Sequence, residues 1–143
     1  MKKILLASLS VVILASCGNG ENADSQEENV GTEVVTSVGT FYNISTAEAA
    51  NMIEEGDVVI MDVRSLDEFE SGHIIGAMNQ DVRNEDFTES IKKMDKSKTY
   101  VVYCHSGRRS AHASEILKDN GFTKVYNVQG GISAWQQDGY EVQ

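Results

Sequence analysis

Cysteine, basic residues and long apolar runs are all scarce in this chain, and each shortage argues against one kind of structure or function. Two cysteines in 143 residues leave no basis for a framework of several disulfides. Lys and Arg number 12 against 22 acidic residues, which argues against nucleic-acid binding. The apolar stretch Ile4 to Leu14 has eleven residues, whereas a membrane-spanning helix needs about 20.

Metal and nucleotide signals are also missing. Three histidines without ligand spacing do not form a metal site, and no glycine-rich nucleotide motif is present. We therefore expect neither a metal nor a cofactor.

The N-terminus resembles a bacterial lipoprotein signal. Lys2 and Lys3 precede the apolar stretch, and Leu14-Ala15-Ser16-Cys17 resembles a lipobox, in which the cysteine is lipidated and becomes the new N-terminus. We predict a signal peptide over 1–16, lipidation of Cys17, and export to a periplasm or the outside on a membrane anchor. An ordinary signal peptide with a coincidental cysteine is the alternative.

Residues 17–40 are predicted to be a lipidated, flexible tether. From residue 18 to 40 the chain has five acidic residues, no basic residue, no aromatic residue and no proline. A coil of this length spans about 25–30 Å. The alternative is a strand over 33–38 that docks on the domain. Without residues 1–16 the net charge moves from −10 to −12, since Lys2 and Lys3 are removed and no acid is lost.

Residues 41–143 are predicted to form one domain in which strands and helices alternate. Ser45 and Glu48 form a capping box that opens the first helix. The strands are predicted over 41–44, 58–61, 99–104 and 125–128. The helices are predicted over 46–55, 67–71, 85–95 and 110–120, with a last helix after Gly130-Gly131. Continuous apolar strands between helices predict a three-layer α/β/α fold with a mostly parallel sheet.

Cys104 is the candidate catalytic residue. It follows an apolar strand and precedes a short loop and a helix, so loop N–H groups and the positive helix end converge on its sulfur. Neighbouring arginines add positive charge and favour the thiolate, which is the nucleophilic form. A buried, unreactive cysteine is the alternative. The predicted anion-binding loop comprises His105, Ser106, Gly107, Arg108, Arg109 and Ser110.

Four separated motifs resemble those of rhodanese domains. They are Asp62-Val63-Arg64 with Glu68-Phe69, then Gly72-His73-Ile74 with Gly76-Ala77 and Asn79, then Cys104 to Ser110, and finally Gly130-Gly131 with Trp135. The resemblance covers residues 41 to about 140 and implies a rhodanese-like fold and a sulfurtransferase. Such an enzyme takes a sulfane sulfur from a small anionic donor such as thiosulfate, holds it as a cysteine persulfide, and passes it to a thiol or cyanide.

The resemblance also suggests roles for individual residues. Arg109, at the last loop position, is the better of the two anion contacts, and Arg108 is as readily assigned to solvent. Ser110 is a second hydroxyl donor or a plain helix cap. Asp62 and Arg64 are interpreted as a structural network that supports the loop.

Other functions stay open. Cysteine-dependent phosphatases carry Cys-x5-Arg, but the sixth residue after Cys104 is Ser110, which disfavours a phosphatase or an arsenate reductase. A non-catalytic binding module and a persulfide carrier for a thioredoxin-like partner remain alternatives.

Overall fold

The computed structural model describes residues 40–143, and a parallel five-stranded sheet lies at their centre. The strands are β1 (Thr40–Ile44), β2 (Val58–Asp62), β3 (Met78–Asn79), β4 (Thr99–Tyr103) and β5 (Lys124–Val128). Their order is β1-β5-β4-β2-β3, and every neighbouring pair is parallel. The predicted signal peptide, Cys17 and the tether up to residue 39 lie outside the described residues.

Five helices connect and flank these strands. They are α1 (Thr46–Glu55), α2 (Leu66–Glu70), α3 (Phe87–Lys92), α4 (Arg108–Asp119) and α5 (Gly131–Gln137). The capping box at Ser45 and Glu48 is confirmed, because each side chain accepts a hydrogen bond from the backbone N–H of the other residue. No helix within residues 40–143 is long and apolar enough to cross a membrane.

Two helix predictions were wrong by two residues or more at an end, and the helix predicted over 67–71 is displaced by one residue. The helix predicted over 85–95 is the shorter α3. The chain forms a turn before Phe87, and after Lys92 the backbone N–H groups of Lys93 and Met94 donate to carbonyls three residues back, as in a 3₁₀ turn. The helix predicted to begin at Ser110 begins at Arg108. Its N-cap is Gly107 in the left-handed conformation, so Ser110 lies inside the first turn and is not the cap.

The sheet separates two apolar layers, as expected for a parallel sheet covered on both faces. Met61, Val102 and Val125 pack with Ile91 of α3 and Leu117 of α4 on one face. The other face carries a second apolar cluster, formed by Ile60, Val101 and Val128 together with Ala49 of α1 and Trp135 of α5. The carboxyl ends of β4, β5 and β2 therefore meet at one buried edge, where a ligand site is expected.

Residues around His73 have the architectural role expected of a Gly-His-Ile turn. The His73 ring stacks on Phe69 with ring centroids 3.7 Å apart. Its backbone exchanges two hydrogen bonds with Gln143, both of 2.9 Å. The turn after α2 is therefore joined to the last residues of the chain.

Candidate active site

Cys104 is placed by β4 at the carboxyl edge of the sheet, and only 1% of its surface is exposed. Gly107 takes φ +90°, a left-handed conformation that folds the chain back over the cysteine. As a result, the Gly107 N–H donates to Cys104 Sγ over 3.1 Å. The Ser110 hydroxyl lies 3.5 Å from the same sulfur and 3.1 Å from the Gly107 carbonyl oxygen, so its single proton has two acceptors.

The start of α4 adds further donors around the sulfur. The first intrahelical bond runs from the Ala111 N–H to the Gly107 carbonyl, so the N–H groups of Arg108, Arg109 and Ser110 have no intrahelical acceptor. Free N–H groups at a helix start attract an anion. The loop from Cys104 to Ser110 therefore presents a small ring of N–H donors of the kind that can hold an anion.

This environment favours the thiolate. Burial raises the pKa of Cys104, but hydrogen bonds from the Ser110 hydroxyl and from backbone groups of Ser110, Ser106 and Gly107 outweigh it. The pKa of the thiol therefore lies below its ordinary value. A thiolate held among N–H donors can attack an electrophilic sulfur and can also hold a terminal sulfur once it is bound.

The two arginines of the loop have different surroundings. Arg108 is exposed. Arg109 is turned toward α2, where its Nη1 and Nη2 donate to the two carboxylate oxygens of Glu68, each over 2.7 Å. Arg109, which was predicted to bind the anion, is therefore paired with Glu68 in the structure. Glu68 was placed in a motif from the sequence but was assigned no role at the site, and its capping box with Ser65 indicates only the start of a helix.

His105 and Ser106 are both exposed at the rim of the loop. The Ser133 hydroxyl lies 3.2 Å from His105 Nε2. A shallow cavity of about 310 Å³ opens beside the loop and is lined by Asn43, Ser106, Gly107, Arg108, Asn127, Gln129 and Gly130. Asn127 is buried, and within residues 40–143 its Oδ1 has no hydrogen-bond partner.

The first turn of α5 binds the backbone of the cysteine loop. The Ile132 N–H donates to the Cys104 carbonyl over 2.8 Å, and the Ser133 N–H donates to the His105 carbonyl over 3.1 Å. A Cβ on Gly131 would lie 2.3 Å from the Cys104 carbonyl oxygen, so no side chain fits there. The Gly130-Gly131 pair therefore permits the close approach that fixes the cysteine.

Asp62 and Arg64 form a buried pair next to β4. Arg64 Nη2 donates to Asp62 Oδ2 over 2.6 Å and to the Gly72 carbonyl over 2.7 Å. Asn79 donates from Nδ2 to the Arg64 carbonyl over 2.9 Å. Burial, and then the neighbouring Asp62, raise the pKa of Tyr103, whose hydroxyl accepts a hydrogen bond from the backbone of Ile74. These contacts join β2, β3 and the turn at Gly72, as expected of a structural network.

Residues 40–143 contain no group of three or more His, Cys, Asp or Glu side chains that could hold a metal ion. What the site offers is one thiolate, a ring of N–H donors and an arginine held by a carboxylate.

Comparisons with known proteins find similar chains and similar structures. A sequence model described as a rhodanese-like domain matches residues 45–138. The chain is 35% identical over 100 residues to the thiosulfate sulfurtransferase GlpE of Shewanella oneidensis, which covers 70% of this chain and 97% of that protein. It is 34% identical over 96 residues to the protein of the same name from Coxiella burnetii, covering 67% of this chain and 88% of that one.

Among solved structures, a rhodanese-related protein from Thermoplasma volcanium matches with a TM-score of 0.63 and 32% identity, over 71% of this chain and 97% of that one. The predicted α/β fold is confirmed by this match, and the sheet is entirely parallel where a mostly parallel one was expected.

Proposed function

The chain belongs to the rhodanese-like family, and on that premise we propose that it is a sulfurtransferase that carries a sulfane sulfur as a persulfide on Cys104. The observation that carries this proposal is the position of Cys104 Sγ, which lies 3.1 Å from the Gly107 N–H at the start of α4. A buried structural cysteine would not need a ring of donors, whereas a thiolate and a persulfide both do.

The first half of the reaction loads the cysteine. The Cys104 thiolate attacks the outer sulfur of thiosulfate, the new Sγ–S bond forms, and the S–S bond of the donor breaks. Sulfite leaves with the electron pair of the broken bond, and the terminal sulfur of the persulfide carries the negative charge. A polysulfide donor reacts in the same way, with a shorter polysulfide as the leaving group. The N–H groups of the loop hold the charged terminal sulfur without any rearrangement.

The second half of the reaction removes the sulfur from Cys104. Cyanide attacks the terminal sulfur and leaves as thiocyanate, or a thiolate attacks the protonated persulfide and leaves as a new persulfide. In both cases the bond between the two sulfurs breaks and Cys104 regains its thiolate. We place the acceptor in the cavity beside the loop, which has Asn127 and Arg108 in its wall. We propose a small thiol or a thioredoxin-like protein as acceptor.

Mass spectrometry of the Cys104 peptide tests this function in the full chain. Thiosulfate or polysulfide should add one sulfur atom, about 32 Da, that cyanide removes as thiocyanate. Cys104→Ser should abolish both the mass gain and the turnover, while its circular dichroism stays unchanged. No gain on a thiol shown to be free would favour a binding module or a phosphatase instead.

We further propose that Cys17 carries lipid and anchors the domain to a bacterial membrane, with the domain in the periplasm or outside. The pattern Leu14-Ala15-Ser16-Cys17 supports this proposal. The mass of the mature N-terminal peptide tests it. We expect a chain that begins at Cys17 with an added lipid mass and partitions with membranes, whereas Cys17→Ala should lack both properties. Partitioning that survives in Cys17→Ala would exclude the anchor.

A further inference from the structure

Within residues 40–143, two helices begin with the same capping box, and only one of the two carboxylates has a second partner there. Glu48 at the start of α1 accepts hydrogen bonds from the backbone and hydroxyl of Ser45. Glu68 at the start of α2 accepts the equivalent bonds from Ser65. Glu68 in addition binds Arg109, which is 41 residues away in sequence and belongs to the loop around Cys104. The capping box accounts for both hydrogen bonds of Glu48 named above, whereas it accounts for only some of the contacts of Glu68.

The contact between Arg109 and Glu68 uses both ends of the guanidinium. The two N–H···O distances are 2.7 Å each, which is the paired geometry that arginine also uses to bind a carboxylate or a sulfur oxyanion. Arg83 approaches the same carboxylate from its exposed side, with Nη2 3.7 Å from Oε2. While it is paired with Glu68, Arg109 therefore cannot present this two-Nη face to a donor, and only its remaining N–H groups are available.

Both partners stay charged at neutral pH. The hydrogen bonds from Arg109 lower the pKa of Glu68 to about 2. The pKa of Arg109 is raised, chiefly by Glu68 and to a smaller extent by the Cys104 thiolate. Arg109 therefore lies within the electrostatic reach of the sulfur, and Glu68 brings a negative charge that cancels it.

We propose that Glu68 is a specificity-determining residue of the Cys104 site, which selects against dianionic sulfur donors and in favour of monoanionic or neutral ones, such as thiosulfonates and organic persulfides. This proposal rests on the sulfurtransferase function proposed above. A donor with two negative charges is repelled by the Glu68 carboxylate about twice as strongly as a donor with one. Its attraction to Arg109 is offset by Glu68, and it cannot form the two-Nη contact with Arg109 unless it displaces Glu68. The charge of the donor, more than its size, then sets its affinity.

Glu68→Gln is the variant that separates charge from folding. Glutamine also serves in a capping box, so α2 keeps its start while the negative charge is lost. Glu48→Gln makes the same change in the other capping box, where no arginine is bound, and is the matched control. Glu68→Gln/Arg109→Gln removes both charges and returns the local charge of the site to that of the unmodified pair.

Alkylation of Cys104 measures the charge preference without any sulfur transfer. Iodoacetate is an anion and iodoacetamide is neutral, and both react with the thiolate, so the ratio of their rates cancels any change in thiol pKa. In the full chain, with Cys104 read by peptide mass spectrometry, Glu68→Gln should raise the iodoacetate-to-iodoacetamide ratio about fivefold. Glu48→Gln and the double variant should keep the ratio of the unmodified protein. A ratio unchanged in Glu68→Gln, or equally raised in Glu48→Gln, overturns the proposal.

A pair of donors then tests the substrate preference itself. Thiosulfate is a dianion and methanethiosulfonate a monoanion, and both present an outer sulfane sulfur. Glu68→Gln should lower the KM for thiosulfate about fivefold more than the KM for methanethiosulfonate. Equal effects on both donors, or a higher KM for thiosulfate, contradict the proposal. If neither donor loads Cys104 of the unmodified protein, the sulfurtransferase function fails, and the alkylation ratio still decides whether Glu68 controls charge at the sulfur.

Discussion

The starts of α4 and α5 are built alike and serve different partners. Each helix begins after a glycine in the left-handed conformation, Gly107 with φ +90° and Gly130 with φ +75°, and neither has a side-chain cap. At α5 the free N–H groups donate to the carbonyls of Cys104 and His105. At α4 they surround the sulfur of Cys104. One helix start thus holds the backbone of the loop, and the other stays available for an anion.

This difference shows how backbone donors can stabilise a buried thiolate. The carbonyls of Cys104 and His105 accept hydrogen bonds from α5, so these two carbonyls do not compete with the sulfur for the N–H groups of α4. Since both sets of donors come from the backbone, their positions depend on glycines and not on long side chains. Substitutions that act on one helix start and spare the other should separate the two roles.

The largest effect is expected from Gly131→Ala. A Cβ at this position would lie 2.3 Å from the Cys104 carbonyl oxygen and 2.8 Å from the His105 carbonyl carbon, and φ is +57°. We expect a loss of about 3 kcal/mol or more in the free energy of unfolding, and loss of persulfide formation, because α5 can no longer dock on the loop. Urea unfolding followed by circular dichroism measures the first effect, and the mass of the Cys104 peptide measures the second.

Gly139→Ala is the control for that variant. Gly139 has φ +87°, but nothing lies within 4 Å of a Cβ there, so this variant carries the conformational cost without the clash. It should cost about 1 kcal/mol and leave Cys104 reactive. Equal unfolding free energies for the two variants would mean that the loop does not depend on close contact with α5.

A smaller, more selective effect is expected from Ser110→Ala at the start of α4. Loss of the hydroxyl removes a donor to the thiolate and raises the pKa of Cys104. Because the thiolate forms as the pH rises through this pKa, the rising limb of the alkylation rate should move to higher pH. At pH 7 the rate should fall about tenfold, since a hydrogen bond to a charged group contributes about 1.5 kcal/mol. Iodoacetamide alkylation across pH measures it.

Ser114→Ala provides the comparison for Ser110→Ala. Ser114 is buried in the same helix, and its hydroxyl donates to the Ser110 carbonyl over 2.8 Å. It makes no hydrogen bond to the sulfur within the described part of the chain. Its alkylation profile should match that of the unmodified protein. A shift as large as that of Ser110→Ala would show that helix packing, and not the hydroxyl, controls the thiol.

The smallest effect is expected from Ser133→Ala. This variant removes the hydroxyl that lies 3.2 Å from His105 Nε2 but keeps the Ser133 N–H bond to the His105 carbonyl. Because the contact is at the exposed rim, the unfolding free energy should change by less than about 0.5 kcal/mol, and persulfide formation should be unchanged. A marked loss of either would show that α5 holds the loop through its side chains as well as its backbone.

The sheet and the cysteine loop could be predicted because their signals are local. Four strands were predicted from short apolar runs, and all four are present with ends that differ by one residue. The strand Met78–Asn79 was missed, since two residues carry no periodicity and the strand exists only through its pairing with β2. The start of α4 was missed because a serine is a better N-cap by preference than a glycine, and here the left-handed turn at Gly107 decides.

The contact between Arg109 and Glu68 could not be predicted from spacing. The two residues are brought together by the adjacency of β2 and β4, which places α2 beside the loop after β4. The sequence did place both residues in motifs, but it did not indicate that they form a pair. Likewise, the backbone hydrogen bonds between His73 and Gln143 join residues that are distant in sequence and meet only in the folded chain.

The single tryptophan gives this domain an internal optical reporter. Trp135 lies in α5, one turn after the residues that bind the loop, with 5% of its surface exposed and its ring against Tyr140. Its indole N–H donates to the Glu141 carbonyl over 3.0 Å. A buried indole emits at a shorter wavelength than an indole in water, so the emission wavelength of Trp135 reports whether α5 stays packed. The emission of one side chain can therefore report on the helix that holds the cysteine loop, with no dye attached to Cys104.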